Sequence, residues 1–259
     1  MTTVHDFRAG DGGLTLFCIP HAGGGASAFR GWAPSLASRV RVRVLQLAGR
    51  ESRFREPASD DVRAVVADLW NAAAPDLRGP FAIFGHSLGG LLAFELAHEI
   101  RVRTGREPER LFVAAARPPH EAQVDAPFSH YGDAEFVDEI VRRYDGIPPA
   151  IRDDPEYLAH VVATMRHDIR LLERYRASER ALLTCPISAF GGALDDVVPM
   201  QSLGGWVQHT TGEFTLDMLR SGHFLVQAER DRLVALVIAR LRSSSTTASH
   251  AAAPVSRLA

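Results

Sequence analysis

Apolar residues in this chain fall into two alternating patterns, short continuous runs and steps of three or four. The runs at 14–19, 40–47, 81–84 and 110–115 read as strands. Between them lie helical spacings: 27–38 with Phe29, Trp32 and Leu36, and 59–74 with Val62, Val65, Val66, Leu69 and Trp70. A further helix follows residue 87 and ends near Gly105. Strand and helix thus take turns four times, which predicts an α/β fold with a mostly parallel central sheet and helices on both faces. Residues 1–12 are polar and read as a loose lead-in.

The alternation stops between about 117 and 183. Two charged helical patterns stand there, 133–144 and 155–176, separated by Gly146-Ile147-Pro148-Pro149, and no strand is apparent. An all-helical insertion in such a chain predicts a lid over the carboxyl edge of the sheet. Strands resume at 186–192 and 213–219, and a last helix spans 225–241. The expected organisation is a core in two parts, 1–116 and 184–242, an inserted helical lid at 117–183, and a disordered tail at 243–259. The tail expectation rests on its Ser, Thr and Ala bias.

The chemistry centres on Gly85-His86-Ser87-Leu88-Gly89, between a buried strand and a helix. A serine on so tight a turn takes a strained backbone conformation, and glycines two residues away on either side remove the side chains that would collide. The turn lifts the hydroxyl above the sheet and aims the first helix amides at the same point. Serine is a weak nucleophile at neutral pH, so it needs a base, and the base needs an orienting carboxylate.

Parallel strands deliver all their carboxyl-end loops to one edge. At that edge, after residues 186–192, stand Asp195 and Asp196; after 213–219 stands His223. His223 is the expected base, since His98, His160 and His167 read as helix-surface residues, His209 precedes its strand and His250 lies in the tail. Asp195, three residues before Val198, is the first choice for the acid, with Asp196 the alternative. Two backbone amides would hold the oxyanion, Leu88 after the nucleophile and Ala22 in His21-Ala22-Gly23-Gly24 after the first strand. That glycine-rich loop also fits a loose dinucleotide fingerprint, but the next strand ends Val44-Leu45-Gln46-Leu47 without the required acid.

Composition narrows the classes further. The chain has 259 residues, 46% hydrophobic and 23% charged, with a formal net charge of −2. No basic field points to nucleic acid, and no apolar run is long enough for a membrane span or signal peptide. All 29 cationic residues are arginine. Two cysteines, Cys18 and Cys185, without metal-ligand spacing, suit buried free thiols and a cytoplasmic location, with no metal site expected.

With these residues in place the chain resembles the α/β-hydrolase superfamily, and within it the stand-alone type II thioesterases of polyketide and nonribosomal peptide synthases. The resemblance is carried by Pro20-His-Ala-Gly-Gly24, by Gln46-Leu-Ala-Gly-Arg50-Glu-x-Arg53-Phe54, and by Gly85-His-Ser-Leu-Gly-Gly90. Arg166-x-Asp168-x-x-Leu171-x-Glu173-x-Tyr175, Phe190-Gly-Gly-x-x-Asp195 and Gly222-His223-Phe224 extend it to about residue 240. Ala48 stands where the family usually has proline. The resemblance implies hydrolysis of stalled or aberrant acyl groups from the phosphopantetheine arm of acyl or peptidyl carrier proteins, by Ser87, Asp195 and His223, in a monomer without cofactor. The alternatives are an ester hydrolase or chain-releasing thioesterase of the same fold, and a binding module that has lost catalysis. A chain-releasing domain usually ends a longer chain, whereas Met1 here precedes the first strand by about a dozen residues. Arg50, Arg53 and Arg55 are expected beside the mouth, where they would meet an acidic carrier protein or else stand as solvated charges.

Overall fold

The computed structural model describes residues 3–7, 13–32, 34, 36, 40–121, 126–144, 146, 147 and 149–250. Seven strands form one sheet in the order β1-β3-β2-β4-β5-β6-β7. They are β1 (Val4–Phe7), β2 (Leu14–Ile19), β3 (Val40–Leu45), β4 (Phe81–His86), β5 (Leu111–Ala114), β6 (Ile187–Gly192) and β7 (Phe214–Leu219). All neighbours are parallel except β1, which runs antiparallel to β3.

That edge strand corrects the expectation of a loose lead-in. Its four residues, Val4-His5-Asp6-Phe7, are too short a run to read as a strand alone; β3 supplies the partner. Asp6 then pairs with Arg41 and Arg43, the polar positions of the β3 alternation.

Helices cover both faces. On one lie α1 (Val62–Ala73) and α2 (Leu88–Thr104), packed through Val66, Leu69, Leu92 and Leu96. Asp61 caps α1 by accepting from the Arg63 amide, a few residues after the expected start. On the other face, Phe29, Trp32, Val234 and Val237 pack beneath the sheet. Phe29 belongs to a single 3₁₀ turn, Ala26–Phe29, in place of the expected start of a long helix; parts of 33–39 lie outside the described residues. After β6 comes α6 (Met200–Gly204), and after β7 come α7 (Leu225–Ala228) and α8 (Arg230–His250).

Helix α8 runs eight residues into the stretch expected to be disordered. A packed helix has already met its nucleation cost, so extension through Ser and Ala is cheap per residue. Residues 251–259 of that stretch lie outside the described residues.

Between β5 and β6 come α3 (Asp133–Tyr144), α4 (Pro149–Arg152) and α5 (Pro155–Arg174), with no strand among the described residues. They have a small core of their own, including Phe128, Phe136, Ile140, Val162 and Ile169. Helix α5 is stitched to the sheet on a four-residue repeat. His160 and Thr164 both donate to the Gly49 carbonyl, at 3.0 Å each, and Asp168 binds Arg50. Glu173, one turn on, accepts from the Phe128 and Ser129 amides and the Ser129 hydroxyl. Tyr175 donates to Glu95 on α2 at 2.7 Å.

Candidate active site

The turn between β4 and α2 holds Ser87 at φ 54°, ψ −118°, a conformation costly to a residue with a side chain. A methyl group on Gly85 would run into the Gly89 carbonyl, and one on Gly89 into the Ile19 carbonyl. Only glycine allows the turn to close this tightly. The Ser87 amide donates to the Ala114 carbonyl at 2.8 Å, fixing the turn to β5.

A relay of hydrogen bonds leads from Ser87. Its hydroxyl lies 2.9 Å from His223 Nε2, and His223 Nδ1 lies 2.8 Å from Asp195 Oδ2. A carboxylate only accepts, so Nδ1 carries the proton and Nε2 faces the serine as acceptor. The other Asp195 oxygen accepts from the Val197 and Val198 amides, at 2.9 and 3.1 Å. Asp196, the neighbouring candidate, is exposed and makes no such bond with His223; it borders the adjoining cavity instead. The two loops are locked together by backbone, since the Leu194 amide donates to Ser221 and a methyl on Gly192 would meet the Gly222 carbonyl.

Beneath His223 sit two more histidines. His86 Nε2 donates to the His223 carbonyl at 2.9 Å, while its Nδ1 is buried without a partner. Burial, then the neighbouring His21 and His223, hold the His86 pKa well below the usual range. His21 packs edge-on against His86 and Phe224, each at 5.0 Å between ring centres. Burial and the nearby His223 and Arg50 lower its pKa to about 4. These neutral rings pack around the base, a role the sequence signalled only through unassigned histidines. His98, expected on a helix surface, is buried beside Phe94 and Arg101.

Ala22 and Leu88 each border a space that Ser87 also lines. The loop carrying Ala22 is held by α5. The Gly23 amide donates to Asp168 Oδ2 at 2.7 Å, and the same carboxylate takes Arg50 Nη1 and Nη2 at 2.6 and 2.9 Å. Glu51 accepts from the Ser27 amide and hydroxyl, and Phe54 stacks on His160 at 3.9 Å. Arg53 binds Glu56, Asp68 and the Gln46 carbonyl. Arg50 is therefore buried between α5 and the loop carrying Ala22, and Arg53 between α1 and the end of β3, which corrects their placement at the mouth for a partner; Arg55 alone of the three is exposed.

Three cavities lie around the site, two of them bordered by Ser87 itself. The first, of about 330 Å³, is bordered by Ser87, His223, Tyr144 and Val198, and Arg117, Arg142 and Arg143 also line it. The second, of about 570 Å³, lies between the loop carrying Ala22 and helices α4 and α5, beside Gly23, Arg50, Tyr157 and His160. A constriction of about 20 Å³ lies between them, touching Ser87, Ala22, Met165, Leu172 and His223. Among the described residues no cluster of three or more His, Cys, Asp or Glu is arranged to hold a metal ion. Nor is any helix among them long and apolar enough to cross a membrane.

Comparison with known proteins now has a geometry to attach to. Residues 14–241 match the family profile described as a thioesterase domain. Linear gramicidin dehydrogenase LgrE of Brevibacillus parabrevis is 33% identical over 233 residues, 89% of this chain and 88% of that protein. The structure of ClbQ from the colibactin NRPS/PKS pathway superposes with a TM-score of 0.86 at 32% identity, covering 90% of this chain and 99% of that one. The type II thioesterase BorB, from the borrelidin biosynthetic cluster, gives 0.84 at 32% identity, covering 93% and 98%. The dehydrogenase name belongs to LgrE. In this chain a dinucleotide site would need an acid after β3, and Gln46 stands there, its side-chain oxygen accepting from the Ala26 amide at 2.8 Å. A parallel sheet with a serine elbow, and a profile match across nearly the whole folded chain, place this protein in the thioesterase family of α/β-hydrolases.

Proposed function

We propose that this chain hydrolyses acyl groups from the phosphopantetheine thiol of acyl or peptidyl carrier proteins in a polyketide or nonribosomal peptide synthase, removing stalled or aberrant units. The observation that carries the reading is the unbroken relay from Ser87 through His223 to Asp195, beneath a lid. Kinship with BorB, described as a type II thioesterase, supports the carrier-borne substrate.

In the first step the Ser87 oxygen bonds to the thioester carbonyl carbon and its proton passes to His223 Nε2. The Asp195 carboxylate keeps the imidazole oriented and stabilises its positive charge. The Ala22 and Leu88 amides receive the oxyanion. The carbon–sulfur bond then breaks, the proton on His223 goes to the departing sulfur, and an acyl-serine ester remains. Water enters, gives its proton to His223, and its oxygen bonds to the acyl carbon; serine leaves with that proton and the free acid departs. Thiolate leaves readily, so the second half limits turnover, and a burst of free thiol precedes the steady state. No cofactor takes part. The protein works as a monomer in the cytoplasm, and the buried, free Cys18 and Cys185 support that compartment.

The test is a panel of acyl-loaded carrier proteins against matched oxygen esters, with Ser87→Ala alongside. Release from carriers that outpaces the esters and vanishes in the variant is the expected result. Equal or faster ester cleavage would mark a small-molecule esterase, and unchanged release by the variant would end the serine reading.

A further inference from the structure

We propose that Met165 sets the length of acyl chain this enzyme accepts, an inference that rests on the hydrolase reading above. The argument begins with the three cavities. Two of them reach Ser87 and His223: the larger is rimmed by arginines, the constriction is almost wholly apolar. Pantetheine carries two amides and a phosphate, so it suits the arginine-rimmed side. The acyl group then points into the constriction. Its roughly 20 Å³ is close to what one or two heavy atoms need, since a single water takes about 10–15 Å³ by the same measure.

Beyond the constriction lies the second cavity, large enough for a medium chain. His21, Ala22, Gly146, Met165 and Phe224 border both spaces. Ala22 and Gly146 present backbone or a methyl group. Phe224 is held edge-on by His21, His86 and His223, with centroid separations of 5.0, 5.9 and 5.6 Å. His21 is in turn wedged between His86 and Phe224. That leaves Met165 as the long, unbranched side chain in the partition, one turn before Asp168 on α5 and 6% exposed. Its side chain lies directly on Gly23, where a Cβ would have no room. Met165 thus closes the far wall of the acyl space, and shortening it joins the constriction to the cavity behind.

The experiment measures kcat/KM on carrier-bound acetyl, butyryl, hexanoyl and octanoyl thioesters for the wild type, Met165→Ala, Met165→Val and Met165→Phe. Wild type is expected to fall steeply beyond the shortest chains. In Met165→Ala the octanoyl-to-acetyl ratio rises about tenfold to a hundredfold, with Met165→Val between. Met165→Phe lowers the butyryl-to-acetyl ratio. Thermal unfolding checks that each variant folds, and Met165→Val carries the test if Met165→Ala does not. Ratios unmoved in folded variants would overturn the role of Met165. No turnover of any thioester by the wild type would instead overturn the hydrolase reading, so the two failures are distinguishable.

Discussion

The Asp168 carboxylate on α5 holds the Gly23 amide at 2.7 Å while gripping both terminal nitrogens of Arg50. The pair is buried, with side chains 6% and 4% exposed, so removing one partner strands the other's charge away from water. Asp168→Ala should therefore lose about 3–5 kcal/mol of stability. The double variant Arg50→Met/Asp168→Leu should recover most of that loss, because apolar replacements of buried pairs are often neutral. Its kcat should nevertheless stay at least about tenfold low, since an oxyanion donor set is sensitive to small displacements. Urea unfolding and steady-state kinetics on the three proteins test this; a double variant that regained full activity would separate the ion pair from the donor loop.

Ser87 pays for its position with backbone strain, and that strain is measurable. Ser87→Ala and Ser87→Gly should both lose roughly a millionfold in kcat, the scale seen when a serine nucleophile is removed elsewhere. They should differ in stability. Alanine keeps the side-chain carbon at φ 54°, whereas glycine tolerates positive φ freely. Allowing for the extra entropy of glycine in the unfolded chain, Ser87→Gly should be more stable than Ser87→Ala by about 1 kcal/mol. Equal urea midpoints would mean the turn is relaxed.

Neutral buried histidines predict a stability that fails in mild acid. In the unfolded chain a histidine binds its proton near pH 6.5, while native His21 resists until about pH 4 and His86 is displaced the same way. Between those values the unfolded state holds more protons, so stability is fully present above about pH 6.5 and drains away as pH falls toward 4. His98 and His209 add to the slope, with pKa values lowered to about 3 and about 4, burial being the leading cause for each. Urea midpoints across pH 4–7 should trace this decline. His86→Gln keeps a donor for the His223 carbonyl but does not titrate, and should flatten the curve without abolishing it. A slope identical to wild type would remove His86 from the account.

Local patterns made the elbow and its relay readable from the chain alone. Gly85 and Gly89 announce a turn that only glycine permits, and Asp195 and His223 each follow a strand whose end reaches one known edge. What escaped reading was long-range. Arg50 and Asp168 lie 118 positions apart, and a charged loop such as 49–57 looks the same whether it faces solvent or is folded inward. The four-residue spacing of His160, Thr164 and Asp168 gains its meaning only once Gly49 and Arg50 lie opposite. Strand β1 was invisible for a related reason: four residues, two of them polar, become a strand because β3 offers an open edge. The tail erred the other way, since composition speaks for a free segment and not for one continuing a packed helix.

Helix α5 turns two adjacent surfaces toward Ser87. One carries Asp168, which fixes the donor loop; the other carries Met165, the wall of the acyl space. Because both belong to one rigid rod, an oversized chain that pushed the wall outward would also drag the anchor off Gly23. Such a substrate would be bound and then processed slowly, so rejection would register as lost turnover, with occupancy little changed. Discrimination of that kind needs no separate checkpoint.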